Sequence, residues 1–264
     1  MVFVPLRADT QETQWKKHMD AALEAHRQGH YGDAEKSMEA ALKEAERFGP
    51  EDLRLGTTLN NLAELYRDQG KYAEAEPLYK RSLVIVVKVL GPEHPYSATS
   101  LNSLGQLYHQ QGKYGAAESL YKRSRVIIEK ALGPDHPNVA ASLNNLAELY
   151  RDQGKYAEAE PLYKRSLVIV VKVLGPEHPG VATNLNNLGL LYTDQGKYAE
   201  AVQLYKRSLE IIEKALGPEH PTVATSLENY AMLLRKTNRD AEAARLEGRA
   251  KAIRAKHAQK NLEK

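Results

Sequence analysis

Apolar residues fall in two alternating helical stripes along most of the chain. In LNNLAELYRDQ, Leu59, Leu62, Ala63 and Tyr66 stand at i, i+3, i+4 and i+7, the spacing that puts them on one face of an amphipathic helix. Past Gly70, the run YAEAEPLYKRSLVIVVKVL carries Tyr72, Ala75, Leu78, Tyr79, Leu83, Val86, Val87 and Leu90 as a second stripe. The pattern predicts helices near Thr57 to Gln69 and Tyr72 to Leu90, joined by a turn at Gly70, and no strand. Pro77 and Pro161 are expected in or near the opening turn of the second helix, where a backbone N–H has no intrahelical partner to lose. Gly91 and Pro92 supply a stop, and Pro95 can open the next helix at its first position.

The two stripes recur. QGKY returns with its glycine at Gly70, Gly112, Gly154 and Gly196, a step of 42 residues. GPEHP or GPDHP begins at Gly91, Gly133, Gly175 and Gly217 with the same step, offset by 21. Residues 59–95 are identical to residues 143–179, which points to recent duplication of a two-repeat block. One such hairpin cannot bury its own apolar faces, so hairpins must stack and share a core. Six units are expected. The first, near Gln14 to Gly49, is degenerate, with Ala25 and Met38 where later units have Tyr. The last has Asn238 for Gly and Asp240 for Tyr; Asn tolerates a left-handed backbone, and polar substitution suits a solvent-facing cap. The expected organisation is a lead segment over 1–13, the degenerate repeat over 14–49, regular repeats over 50–238, and a capping helix with a basic tail over 239–264.

Composition adds a few exclusions. Aromatic burial falls to 15 Tyr against 2 Phe and 1 Trp, which reads as an amphipathic choice for partly covered helices. No apolar run approaches the roughly 20 residues of a membrane span, and MVFVPLRADT lacks the form of a signal peptide, so no membrane association and a cytoplasmic setting are expected. Absence of Cys removes disulfide and thiol chemistry. The net charge of +3 is too small to imply nucleic acid, but Arg235 to Lys264 holds 10 Lys and Arg against 4 Asp and Glu. Arg245, Arg249, Lys251, Arg254, Lys256 and Lys260 read as the solvated face of a cap whose Ala244, Leu246, Ala250 and Ile253 are buried. Gripping nucleic acid or an acidic surface is the alternative.

The small residues Ala63, Gly105, Ala147 and Gly189, the tyrosines 66, 108, 150 and 192, and Ala75, Ala117, Ala159 and Ala201 resemble the tetratricopeptide signature. The 42-residue period, the doublet LNNLA, the run AEPLYKRSL and the connector LGPEHP resemble the kinesin light chain branch. The resemblance implies an all-α, right-handed superhelical solenoid whose first helices line a concave groove for extended peptides of a partner protein. Light chains of that branch carry a coiled coil ahead of the repeats, whereas residues 1–13 alone precede the first unit here, so motor transport is not expected.

With Leu62 and Tyr66 turned to the core, Asn60, Asn61, Glu64, Arg67 and Asp68 project elsewhere, onto the surface that the resemblance assigns to the groove. Asn recurs in register at Asn60, Asn102, Asn144 and Asn186, and again at Asn61, Asn145, Asn187 and Asn229, with Ser103 as the one break. A side-chain amide donates and accepts, so such a ladder can hold a peptide backbone with little sequence demand. The alternative is that one Asn of each doublet bonds the neighbouring repeat. Specificity then falls to Glu64, Gln106, Glu148, Leu190 and Met232 in one row, and to Arg67, His109, Arg151, Thr193 and Arg235 in another. Since ladder Asn60, Asn61, Asn144 and Asn145 stand where repeats that clamp a terminal carboxylate carry Lys and Arg, no such clamp is expected.

His94, His136, His178 and His220 each adjoin an acid. Helices pack about 8–10 Å apart, so residues a repeat apart cannot share an ion with ligands near 2 Å, and a connector role is expected instead of a metal site. No catalytic residue, cofactor or small-molecule substrate is expected. Self-association through an end or the groove is a further alternative.

Overall fold

The computed structural model describes residues 6–262, with side chains described for 10–259. Residues 1–5 of the expected lead segment, residues 263–264 of the basic tail, and the Lys260 side chain lie outside the described residues. Those described form twelve helices and no strand. The chain divides into two compact units, Met1–Ala131 and Leu132–Lys264. The first contains α1 (Leu6–Arg27), α2 (Tyr31–Glu46), α3 (Leu53–Asp68), α4 (Tyr72–Leu90), α5 (Pro95–Gln110) and all but the last residue of α6 (Tyr114–Leu132). The second contains α7 (Pro137–Asp152), α8 (Tyr156–Leu174), α9 (Pro179–Asp194), α10 (Tyr198–Leu216), α11 (Pro221–Lys236) and α12 (Asp240–Leu262). Each unit is thus a solenoid-type stack of three helical hairpins.

Within a hairpin, the first helix ends the same way each time. Gly70 takes φ 74°, its N–H bonds Arg67 O at 2.9 Å, and the N–H of Lys71 reaches Tyr66 O at 2.8 Å, the paired closure that needs a left-handed residue just past the helix. In the last hairpin Asn238 adopts φ 57°, and Arg239 and Asn238 make the equivalent bonds to Leu234 and Arg235. The second helix then packs through a buried serine. Ser82, Ser124, Ser166 and Ser208 donate to the carbonyls of Gly56, Ala98, Ala140 and Ala182 at 2.7, 2.8, 2.9 and 2.8 Å. A hydroxyl reaches a neighbouring helix backbone only where the facing residue is small.

Beside each serine lies Tyr79, Tyr121, Tyr163 or Tyr205, at most 1% exposed. These four rings are fully buried, in contrast to the partial cover expected of the chain's tyrosines. Their fit is tight: a Cβ on Gly105 would meet the Tyr121 ring at 2.7 Å, and one on Gly189 the Tyr205 ring at 3.0 Å. Burial pushes the Tyr79 and Tyr163 hydroxyls well above the usual tyrosine range, and Tyr205 to about 12.

Three local expectations need correction. Helix α3 begins at Leu53 instead of near Thr57, because Asp52 caps it by accepting the Arg54 N–H at 2.8 Å. Helix α1 begins at Leu6, so the first repeat extends into the span expected to be a lead, and its Trp15 Nε1 donates to Thr58 Oγ1 of α3 at 2.9 Å. Pro77 and Pro161 sit inside α4 and α8, at the sixth residue. They therefore remove a bond to the carbonyl four residues back, a cost that hairpin packing must offset.

The connector histidines cap the first helices. Nδ1 of His94, His136, His178 and His220 accepts the N–H two residues on at 3.1, 3.1, 3.0 and 3.3 Å, the role that Asp52 performs one period earlier. Next, Glu76 of α4 ties two hairpins together, accepting from Lys80 at 2.7 Å, Tyr108 Oη at 3.1 Å and Lys113 at 3.2 Å. Glu160 of α8 does the same in the second unit with Lys164, Tyr192, Gln195 and Lys197. Hydrogen bonds from these cations, Lys80 and Lys164 foremost, hold both carboxyls at about 2.

The caps and the clamps can each be tested by substitution. Replacing His136 by Asp keeps the acceptor and adds a negative charge at the helix start, so the urea midpoint should rise by the equivalent of about 0.5–1 kcal/mol, whereas His136→Ala should lose about 1 kcal/mol. For Glu76 and Glu160 the folded carboxyl titrates below the unfolded one, so their contribution is complete above about pH 4.5 and is lost as pH falls toward 2. Solvent reaches both clamps, so each should contribute about 1 kcal/mol, less than the shift alone implies. Thermal melts of Glu76→Gln/Glu160→Gln should show lower stability at pH 7 and a shallower decline between pH 4.5 and 2 than the parent.

Candidate functional site

The first helices present the face opposite their hairpin partners: α1, α3 and α5 in the first unit, α7, α9 and α11 in the second. In the first unit Asn60 and Asn61 are half-buried and make no hydrogen bond among the described residues, and Asn60 Oδ1 is buried without a donor. Asn102 is also half-buried. One turn further along, Arg67 is held flat. Its guanidinium donates to Gln106 Oε1 of α5 at 2.7 Å and to Asp68 at 2.8 Å, and lies 3.4 Å from Glu64. Its side chain keeps 11% of its exposure, and the nearby Asp68 and Glu64 charges keep it firmly protonated against that burial. His109 is half-buried, edge-on to the rings of Tyr114 and Tyr121.

In the second unit the ladder divides. Asn144 Nδ2 donates to Asn184 Oδ1 of α9 at 3.0 Å, and Asn229 Nδ2 of α11 donates to Asn186 Oδ1 at 3.2 Å. Asn186 is only 8% exposed. These amides join neighbouring repeats, the architectural alternative raised by the sequence. Asn187 is half-buried with no hydrogen bond among the described residues, Asn145 is half-buried, and Glu148 is exposed. Arg151 pairs with Asp152 at 2.8 Å and approaches Asp194 of α9 at 3.8 Å.

Two members of the expected specificity rows serve the fold instead. Thr193 is buried and donates to Gly189 O at 2.8 Å, and Arg235 is bound by Asp240 at 2.9 Å and Glu247 at 2.8 Å of α12. Sequence reasoning missed Asn184, which stands where the other repeats have Thr58, Ser100, Ser142 and Ser226. Its break of an otherwise constant small residue was the available signal.

The basic terminal helix is largely neutralised by its own neighbours. Arg249 pairs with Glu213 of α10 at 2.7 Å, Arg254 with Glu228 of α11 at 2.6 Å, and Lys256 with Glu219 at 2.5 Å. Its buried side is Ala243, Ala250 and Ile253 with Leu246 half-buried, while Ala244, expected to be buried, is exposed. Among the described residues no group of acids, histidines or cysteines is arranged to hold a metal ion, and no helix is long and apolar enough to cross a membrane.

Comparison with known proteins matches this geometry to a family. The tetratricopeptide repeat model matches residues 21–85, 54–126, 115–169, 140–214 and 182–256. Among solved structures, the nearly identical TPR-like repeats of a candidate kinesin light chain from Podosopora anserina share 31% identity at TM-score 0.62, covering 79% of this chain and 97% of that one. BtubC (BKLC) from P. vanneervenii shares the fold at 23% identity and TM-score 0.65, with 93% and 91% covered. So does a Rap protein complexed with competence and sporulation factor, at 15% identity and TM-score 0.67, with 93% and 76% covered. No curated protein sequence matches the chain significantly. Hairpin closure by a left-handed turn, small residues under buried tyrosines, and the match across residues 21–256 make this chain a member of the tetratricopeptide repeat family, similar to its kinesin light chain-like branch and built as a protein-interaction scaffold.

Proposed function

We propose that the first-helix face of each unit binds an extended segment of a partner protein, without catalysis. The observation that carries this is the contrast between neighbouring polar groups on that face. Arg67 and Arg151 are pinned by acids and Asn144, Asn186 and Asn229 are spent on inter-repeat bonds, while Asn60, Asn61 and Asn187 keep donors and acceptors that no described residue uses. Half-buried amides held on rigid helices lose little freedom on binding, so they suit main-chain recognition. The two flanking rows supply charge of both signs, Glu64 and Glu148 from one and the Arg67 and Arg151 guanidinium edges from the other. A ligand with mixed charge fits it.

The test uses a partner segment recovered by cross-linking and peptide mapping. Asn61→Ala and Asn187→Ala should each weaken its binding about fivefold, one hydrogen bond of about 1 kcal/mol, with the melting temperature unchanged. Asn186→Ala and Asn229→Ala should do the reverse, lowering the melting temperature through the lost inter-repeat bond. Unchanged affinity for both Asn61→Ala and Asn187→Ala would move the binding surface off this face.

A further inference from the structure

The duplicated block sets up an internal comparison. Residues 59–95 and 143–179 are identical, so α4 and α8, with the later turns of α3 and α7, offer the same side chains to the next first helix in the chain, while residues 53–58 and 137–142 differ. Those next helices, α5 and α9, differ. In the second unit Asn184 of α9 pushes its carboxamide into that wall: its Oδ1 receives Asn144 Nδ2 at 3.0 Å and lies 2.6 Å from Ser166 Oγ, and its Nδ2 donates to Gly180 O at 2.8 Å. In the first unit the equivalent residue is Ser100, whose short hydroxyl turns back to Tyr96 O at 3.2 Å. An open pocket of about 420 Å³ remains there, lined by Asn60, Ser82, Val86 and Ser100 among others, with Tyr96 at 63% exposure along its edge. Asn60, the counterpart of Asn144, has no hydrogen bond among the described residues.

We propose that this pocket is a subsite for an asparagine side chain of a bound peptide, the carboxamide that Asn184 supplies internally in the second unit. The peptide's side-chain carbonyl takes the hydrogen bond that Asn60 Nδ2 offers, as Asn184 Oδ1 does from Asn144, and the Ser82 proton stays with Gly56 O. Its NH2 group meets the Ser100 hydroxyl and the Tyr96 carbonyl region. The Asn60 amide is a neutral donor and no cation lines the pocket apart from Arg54, already bonded to Asp52 at 2.7 Å, so a carboxylate of the same shape gains no countercharge and must be desolvated. A leucine of the same branching leaves the Asn60 amide unpaired. Space beyond the carboxamide accommodates the flanking main chain, and the Tyr96 ring supplies apolar cover. The proposal rests on the reading of this face as a protein-binding one, and names one side chain that it selects.

The test is an NMR titration of the whole chain with the blocked tripeptide Ac-Gly-Asn-Gly-NH2, alongside its Asp and Leu counterparts. The Asn tripeptide should shift the Asn60 side-chain amide and the Ser82 and Ser100 backbone amides, with a dissociation constant in the millimolar range set by one anchored side chain. The Asp and Leu tripeptides should bind at least tenfold more weakly. Ser100→Asn, which copies the second unit, should fill the pocket and abolish those shifts while raising the melting temperature. Asn184→Ser should open a second pocket and add shifts at Asn144 and Ser166. Equal binding of the three tripeptides, shifts that survive Ser100→Asn, or no shift up to about 50 mM would overturn the subsite. Loss of the subsite with Asn61→Ala and Asn187→Ala still weakening the partner segment would leave the wider reading of the face intact.

Discussion

The close approach of two helices within each hairpin is the contact on which the rest of the structure depends. It is made by a serine hydroxyl bonded to a first-helix carbonyl and by a tyrosine ring seated over a residue with at most a methyl side chain. Close packing at that level leaves no slack, since interiors pack as densely as organic crystals. Once the spacing is fixed, the first helices of successive hairpins within each unit lie side by side, and their outer polar faces come into register. The candidate face is a consequence of this buried geometry.

Electrostatics on the outside plays a lesser part. Ion pairs recur at a separation of 37, as in Lys88 with Glu51, Lys172 with Asp135 and Lys214 with Glu177, and all are largely exposed. Exposed pairs contribute little singly, because water and salt screen them and two long side chains must be ordered. Glu76 and Glu160 differ because each collects several donors from the following hairpin and is only 23% and 21% exposed. They bind adjacent hairpins together at points the apolar stripes do not reach. The terminal basic helix follows the same logic. Its charge balances acids on α10 and α11, which leaves a smaller excess for any external polyanion.

Duplication has produced two walls that share one stretch of sequence and differ around it. The identical residues 59–95 and 143–179 would give identical surfaces if only their own side chains counted. Differences around them, Ser100 against Asn184 together with Tyr96 against Gly180 and Gly56 against Ala140, change what the shared residues meet. Asn184 thus occupies the Asn144 amide, whereas Ser100 turns to its own helix and leaves Asn60 without that partner. Gly105 and Gly189 show the same economy in the core, where removing one methyl lets a buried ring sit closer than Ala63 or Ala147 would permit.

By itself the sequence determined the elements, their period and the family, because amphipathic spacing and glycine stops are local properties that each residue carries with it. The bounds of α4, the turn at Gly70, its replacement by Asn238 and the all-α class were legible for that reason. The fate of polar side chains was not. Asn60 and Asn144 have identical neighbours over the whole duplicated block, yet Asn144 bonds Asn184 while Asn60 bonds nothing among the described residues. Periodicity likewise could not say that Ser82 is buried against Gly56 O, that Thr193 turns inward, or that His94 is a helix cap. A hydrogen bond depends on what stands opposite, and here the opposite residue lies anywhere from two positions away to a full repeat away. Only packing in three dimensions decides which amides are consumed by the fold and which are left to bind something else.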